Sequence, residues 1–205
     1  MPTKLLIIAG PQSSGKTTAF NHLKTRFPDF HYQEEINPYS LAGKNHPGGA
    51  FTTNELELEL VKSDLEILKN LTRLKQNNFR GIIYETGIFH LVYTENFCGQ
   101  NIAEDFFKKY LTLHDNFDCH LVFIDTKPEI SWRRRYPNYL KRIKKQNGEN
   151  NFYETLEKYQ NTIYKLYPLW LKWYDKIPFK KKSIKNSFIS KEKFLGKIYE
   201  QMLQF

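Results

Sequence analysis

The segment that most constrains this chain is Gly10-Pro11-Gln12-Ser13-Ser14-Gly15-Lys16-Thr17, which satisfies G-x-x-x-x-G-K-[S/T] at every fixed position. Its flanks narrow the fold further. Leu5-Leu6-Ile7-Ile8-Ala9 is a short apolar run, as expected of a strand buried on both faces. The residues after the loop predict a helix with Phe20, Leu23 and Phe27 on one face. A strand, a glycine loop and a helix are what phosphate binding requires. Glycines allow backbone conformations that a Cβ forbids. The loop N–H groups then converge on phosphate oxygens at a helix N-terminus, where the helix dipole favours anions. Lys16 can reach the terminal phosphates of a nucleotide, and the Thr17 hydroxyl can ligate Mg²⁺. The nucleotide cradle is therefore Gly10, Gln12, Ser13, Ser14, Gly15, Lys16, Thr17 and Thr18.

The rest of the chain alternates strand and helix signals. Phe30 to Glu35 predicts a second short strand ending in two carboxylates. From Ile36 to Thr53, Asn37-Pro38, Gly43 and His46-Pro47-Gly48-Gly49 mark a long loop, of the length that often forms lids and binding loops. A helix capped by Asn54 follows, with Leu56, Leu60, Ile67, Leu71 and Leu74 in helical register to about Gln76, and Asn77-Asn78 ends it. Gly81 to Glu85 is a third strand, and the aromatic-rich stretch after it, to Gly99, carries no clear periodicity. Ile102 to Leu113 predicts a helix with Ile102, Phe106, Tyr110 and Leu113 on one face, and His120 to Ile124 a fourth strand. A basic helix then begins near Pro128; Pro137 should break it, and helix should resume near Tyr139 and stop at Asn147-Gly148. Phe152 to Tyr174 predicts a long helix with Leu156, Ile163, Tyr167 and Trp170 inward and a kink at Pro168. Lys182 to Ile189 suits an edge strand, and Ser190 caps a last helix with Phe194, Ile198 and Met202 on one stripe. Strands alternating with helices imply a parallel sheet covered on both faces.

At 205 residues the chain suits one domain with a substantial core, and a 40% apolar content excludes a disordered chain. The first apolar run is too short for a signal peptide, and no segment approaches the roughly 20 apolar residues of a membrane span. Two cysteines, Cys98 and Cys119, make no disulfide framework, so a cytoplasmic location is the simplest expectation. The net charge of +9 suits a polyanionic partner, either nucleic acid or a phosphorylated small molecule. Its basic clusters fall at Lys127 to Lys145 and Lys172 to Lys197, whereas Glu55 to Glu66 is acidic.

In a parallel α/β sheet, ligands gather beyond the C-terminal strand ends. Glu35 and Glu85 end strands there. Glu85 can hold Mg²⁺ beside Thr17, and Glu35 can accept the proton of an acceptor hydroxyl. Glu34 should face the opposite way from Glu35. Asp125 also ends a strand, though an Asp before Thr-Lys-Pro equally serves as a helix cap. Arg133, Arg134 and Arg135, with Arg142 beyond, suit the negative charge of phosphoryl transfer, and one or two of the first three can point at one phosphate. The Tyr136-Pro137 break predicts a joint for a closing lid over about residues 127–150.

With these features placed, the chain resembles the nucleoside and nucleotide monophosphate kinases among P-loop proteins, and in layout it is most similar to the deoxynucleoside kinases. The resemblance is carried by the glycine loop, by Glu35 about 20 residues later, by Glu85, by Val122-Phe123-Ile124-Asp125-Thr126-Lys127-Pro128-Glu129 before the arginines, and by Tyr167-Pro168-Leu169-Trp170-Leu171. It implies a three-layer P-loop fold: a five-stranded parallel sheet, first strand central, flanked by helices, with an Arg-rich lid. It implies transfer of the γ-phosphate of ATP, with Mg²⁺, to a small-molecule acceptor, a nucleoside or nucleoside monophosphate. Glu35 would be the general base, Glu85 the acid at the metal, and Arg133, Arg134 and Arg142 the phosphate clamps beside Lys16. The chain departs from the family in carrying Thr86 where deoxynucleoside kinases usually place Arg, and Ile36 where Pro is common. A polynucleotide-end kinase and a regulatory NTPase are the competing readings. Nucleic acid is not the favoured partner, and a homodimer is compatible with the sequence.

Overall fold

The computed structural model describes residues 2–36, 52–74, 79–146 and 151–205. The expected loop over 37–51, the end of the helix at 76–78 and the stop at 147–148 lie outside them. Five strands form one parallel sheet: β1 (Thr3–Ala9), β2 (His31–Gln33), β3 (Ile82–Glu85), β4 (Phe117–Asp125) and β5 (Lys180–Lys185). Their order is β2-β3-β1-β4-β5, so β1 is central. Seven helices occur among the described residues: α1 (Lys16–Arg26), α2 (Asn54–Arg73), α3 (His90–Cys98), α4 (Gln100–His114), α5 (Pro128–Gln146), α6 (Phe152–Lys176) and α7 (Lys191–Gln204).

Strand alternation splits the core in two. Leu5, Ile7, Tyr84, Leu121 and Phe123 face α2, α3, α4 and α6, packing on Leu68, Leu91, Phe106 and Trp170. Leu6, Ile8, Ile83, Val122 and Ile124 face α1 and α7, packing on Phe20, Leu23, Phe194 and Ile198. A third cluster joins α5 to α6, where Tyr139 and Tyr159 stack 4.2 Å apart beside Ile143 and Ile163.

Several local expectations are corrected. The stretch after β3 forms a 3-10 turn at Gly87–Phe89 and then α3. The N-cap of α2 is Thr53, whose hydroxyl accepts from Leu56 N at 3.3 Å. The buried stripe of α2 is Glu57, Leu60, Val61, Asp64, Leu68 and Leu71, rotated from the apolar one, because two acids stand on its inner face. In α4, Ile102 is exposed while Ala103 and Phe107 turn inward. Pro137 does not break α5, which runs through it. A mid-helix proline costs about 3 kcal/mol; here Tyr139 and Ile143, just beyond it, are buried on α6 and offset that cost. Pro168, where a kink is expected, lies inside α6 without ending it.

Candidate active site

The P-loop joins β1 to α1. A Cβ on Gly10 would lie 2.5 Å from the Ile124 carbonyl oxygen, so the chain can pass β4 there only as glycine. Gly15 has φ +100°, a left-handed conformation that glycine adopts without strain, and it opens α1. Lys16 Nζ donates to Gly10 O at 2.9 Å and sits 5.6 Å from the Trp170 ring centroid. The Ser14 hydroxyl is buried with no partner among the described residues. A backbone cradle at a helix N-terminus, a lysine that can exchange a carbonyl for a phosphate oxygen and an orphaned hydroxyl fit a nucleotide phosphate. Thr18 is exposed in the first turn of α1. Gln12 Oε1 accepts from Tyr139 OH at 2.8 Å, and its amide lies 3.4 Å from Tyr93 OH, so this side chain links the loop to α5 and α3.

Beside the loop, Thr17 Oγ1 donates to Glu85 Oε1 at 2.6 Å. Burial raises the Glu85 carboxyl pKa; the Thr17 hydrogen bond opposes this, Glu35 adds to it, and Lys16 opposes it. A hydroxyl beside a carboxylate is a pair of hard oxygen donors, and a kinase Mg²⁺ takes only one or two protein oxygens, completing its shell with waters and phosphates. The pair fits that ion, and no larger cluster of metal-binding side chains occurs among the described residues.

The two carboxylates after β2 part ways. Glu34 is exposed and pairs with Lys24 of α1 at 3.3 Å. Glu35 lies two residues past Gln33, which pairs with Tyr84, and so follows the α2/α3 face. From there it raises the pKa of Tyr93, after burial, and also acts on Glu85, Tyr84 and Asp64. Behind it is a buried polar cluster. Tyr84 OH and Tyr110 OH donate to the two oxygens of Asp64, and His90 Nε2 lies 3.5 Å from Asp64 Oδ1. Glu57 is buried nearby, its carboxyl pushed up by burial and pulled down by Thr52 and His90. Periodicity could not mark Asp64 or Glu57 as internal, because acids read as solvent-facing.

The arginines of α5 separate. Arg134 donates to Ser13 O at 3.2 Å and Asn186 O at 2.9 Å, and Asn186 Nδ2 donates to Ser14 O at 2.7 Å. Arg133 is exposed. Arg142 acts electrostatically on the Tyr139 phenol. Arg135, not among the clamps singled out from the sequence, lies 5.8 Å from the Tyr139 ring centroid, its Nε buried without a partner among the described residues. Asp125 accepts from Tyr167 OH at 2.8 Å, tying β4 to α6.

The family model for deoxynucleoside kinases matches residues 6–205. The chain belongs to the deoxynucleoside kinase family. The kinase is accordingly a phosphotransferase acting on nucleosides or nucleotides, in a family whose donor is a nucleotide, generally with Mg²⁺. No curated protein sequence matches it. Among solved structures it is similar to deoxyadenosine kinase from M. mycoides with dCMP bound, at 15% identity and TM-score 0.58 over 98% of this chain and 100% of that one. It is also similar to thymidylate kinase from Candida albicans, at 16% identity and TM-score 0.56 over 99% and 92%. Shikimate kinase from Acinetobacter baumannii matches at 16% identity and TM-score 0.50 over 98% and 94%. At these identities the structures establish the shared fold. No helix among the described residues of the kinase is long and apolar enough to cross a membrane.

Proposed function

We propose that this kinase transfers the γ-phosphate of ATP to the hydroxyl of a nucleoside. The observation that carries the reading is the placement of Glu35 on the α2/α3 face across from the P-loop, with Glu34 turned away to Lys24. Lys16 and the loop amides bind the donor phosphates. Thr17 and Glu85 would hold Mg²⁺, which supplies charge neutralisation between the phosphates. Glu35 takes the proton of the acceptor hydroxyl as its oxygen bonds to phosphorus; the bond from phosphorus to the bridging oxygen breaks, and ADP leaves with that electron pair. Arg133, Arg135 and Arg142 supply guanidinium groups from α5 for the phosphoryl oxygens, while Arg134 positions the loop. A charged Glu35 beside the acceptor repels a monophosphate and favours an uncharged nucleoside.

The test is an acceptor screen with labelled ATP across nucleosides, nucleoside monophosphates and 5′-hydroxyl oligonucleotides. Nucleosides are the expected acceptors. Glu35→Gln should then lower kcat by about 10² to 10⁴ with ATP affinity nearly unchanged, while Glu34→Gln retains activity. A crippled Glu34→Gln beside an active Glu35→Gln overturns the assignment of the base.

A further inference from the structure

Thr86, directly after Glu85, has φ 68° and ψ −63°. This is the strained γ-turn geometry with positive φ, and a β-branched residue is among the least suited to it. Its N–H donates to Ile8 O at 2.9 Å, and its carbonyl accepts from Phe89 N at 3.2 Å. The side chain is 0% exposed, yet its hydroxyl has no hydrogen-bond partner among the described residues. Buried hydroxyls ordinarily find one.

Position gives the strain a meaning. Tyr84 pairs with Gln33 on one side, and Thr86 and Glu35 each lie two residues further on. Glu85 pairs with Ile8 on the other side, and Thr86 and Ala9 each lie one residue further, at the entry to Gly10. Thr86 is thus the strand-end residue between the acceptor carboxylate and the P-loop. Its neighbours are pinned on opposite faces of the sheet, Tyr84 by its hydrogen bond to Asp64 and Glu85 by Thr17. A strained residue persists where its surroundings over-determine it, and such residues cluster where a group must be held ready.

We infer that Thr86 is a catalytic residue, its hydroxyl donating a hydrogen bond to an oxygen of the phosphoryl group as it passes from ADP to the acceptor. The inference rests on the phosphoryl transfer proposed above. The acceptor oxygen gains the bond to phosphorus, the bridging oxygen of ADP loses it, and the acceptor proton goes to Glu35. Thr86 keeps its own proton throughout and serves only the charge on the transferring oxygens.

The test compares wild type with Thr86→Val, which keeps the branch and volume but lacks the hydroxyl, and with Thr86→Ser, which keeps the hydroxyl. Two readouts are taken. One is steady-state kinetics with ATP and the accepted nucleoside. The other is the tightening of Mg·ADP binding by aluminium fluoride, a mimic of the phosphoryl group in flight. Thr86→Val should bind Mg·ADP as wild type does, lose most of the fluoride-dependent tightening and lose about 100-fold in kcat with both KM values kept. Thr86→Ser should restore both. Wild-type kcat or undiminished fluoride tightening in Thr86→Val overturns the assignment and leaves Thr86 a purely structural turn. If no nucleoside is phosphorylated, the functional reading fails, and the fluoride readout with Mg·ADP alone decides for Thr86; no tightening in wild type overturns it too. If Thr86→Val does not fold, Thr86→Ala carries the same comparison.

Discussion

Lys16 shows how packing and one hydrogen bond can hold a single ammonium over a glycine loop. Its ammonium donates to the Gly10 carbonyl and lies over the Trp170 ring, so the side chain is already drawn back over the loop. Exchanging that carbonyl for a phosphate oxygen replaces a neutral acceptor by a charged one, and charge-assisted hydrogen bonds are about twice as strong. ATP with Mg²⁺ should therefore stabilise the fold by roughly 2.7 kcal/mol at about 100 times Kd, read as a rise in Tm. Lys16→Ala should lose most of that rise, with the Tm of the free protein little changed. An undiminished ATP-dependent shift in this variant would remove Lys16 from the phosphates. The residues of the loop were legible because the pattern is local: glycine conformations, a helix N-terminus and one lysine all follow from eight consecutive positions. Glu57 and Asp64 were not, since only the packing of α2 reveals that two acids face inward.

At the scale of elements, α5 is both lid candidate and strap. Arg134 spans Ser13 O and Asn186 O, and Asn186 in turn holds Ser14 O, so α5, the P-loop and the end of β5 are tied through two side chains. Two carbonyls at different angles suit the planar fork of a guanidinium, and a lysine ammonium cannot reproduce it. Arg134→Ala should weaken ATP binding about tenfold and lower stability by about 1 kcal/mol, as expected for losing hydrogen bonds from a partly exposed charged donor. Calorimetric titration checks the first and thermal unfolding the second. Arg134→Lys should recover little of either; full recovery would mean that charge alone matters. The helix itself contradicts the local rule for Pro137, because its burial against α6 is a long-range contact that the pentapeptide around a proline does not contain.

For the whole molecule, pH dependence follows from burial. His114, at the end of α4, is buried; its Nδ1 contacts Tyr110 O at 2.7 Å and its ring lies 4.9 Å from Phe179. Burial pulls its pKa from 6.5 down to about 4, with the Tyr110 hydrogen bond partly opposing. Between those values the unfolded chain binds the proton and the folded one does not, so stability is complete above about 6.5 and is lost as pH falls toward 4. The span corresponds to at most about 3 kcal/mol. Thermal unfolding between pH 7 and 4 should show a shallower loss in His114→Gln than in wild type. Asp64, Glu57 and Glu85, raised by burial, contribute in the opposite sense: their stabilisation falls as pH rises through their folded pKa values. The difference between variant and wild type therefore isolates His114, and identical profiles would exclude it.

The sequence alone determined the strand-loop-helix that makes the phosphate cradle, the alternation that makes a parallel sheet, and the carboxylate that ends β3, whereas β2 stops at Gln33, before the pair Glu34 and Glu35. Each is written in neighbouring residues through backbone conformation, strand period or helix period. The tertiary structure alone decided which carboxylate follows the α2/α3 face, since the pairing of β2 with β3 and the ion pair of Glu34 with Lys24 join distant segments. It likewise decided that Arg134 binds backbone carbonyls 121 and 52 residues away. It decided, too, that Thr86 carries strain, because a positive φ on a threonine is imposed by the packed strand ends on either side of it and never chosen by the residue.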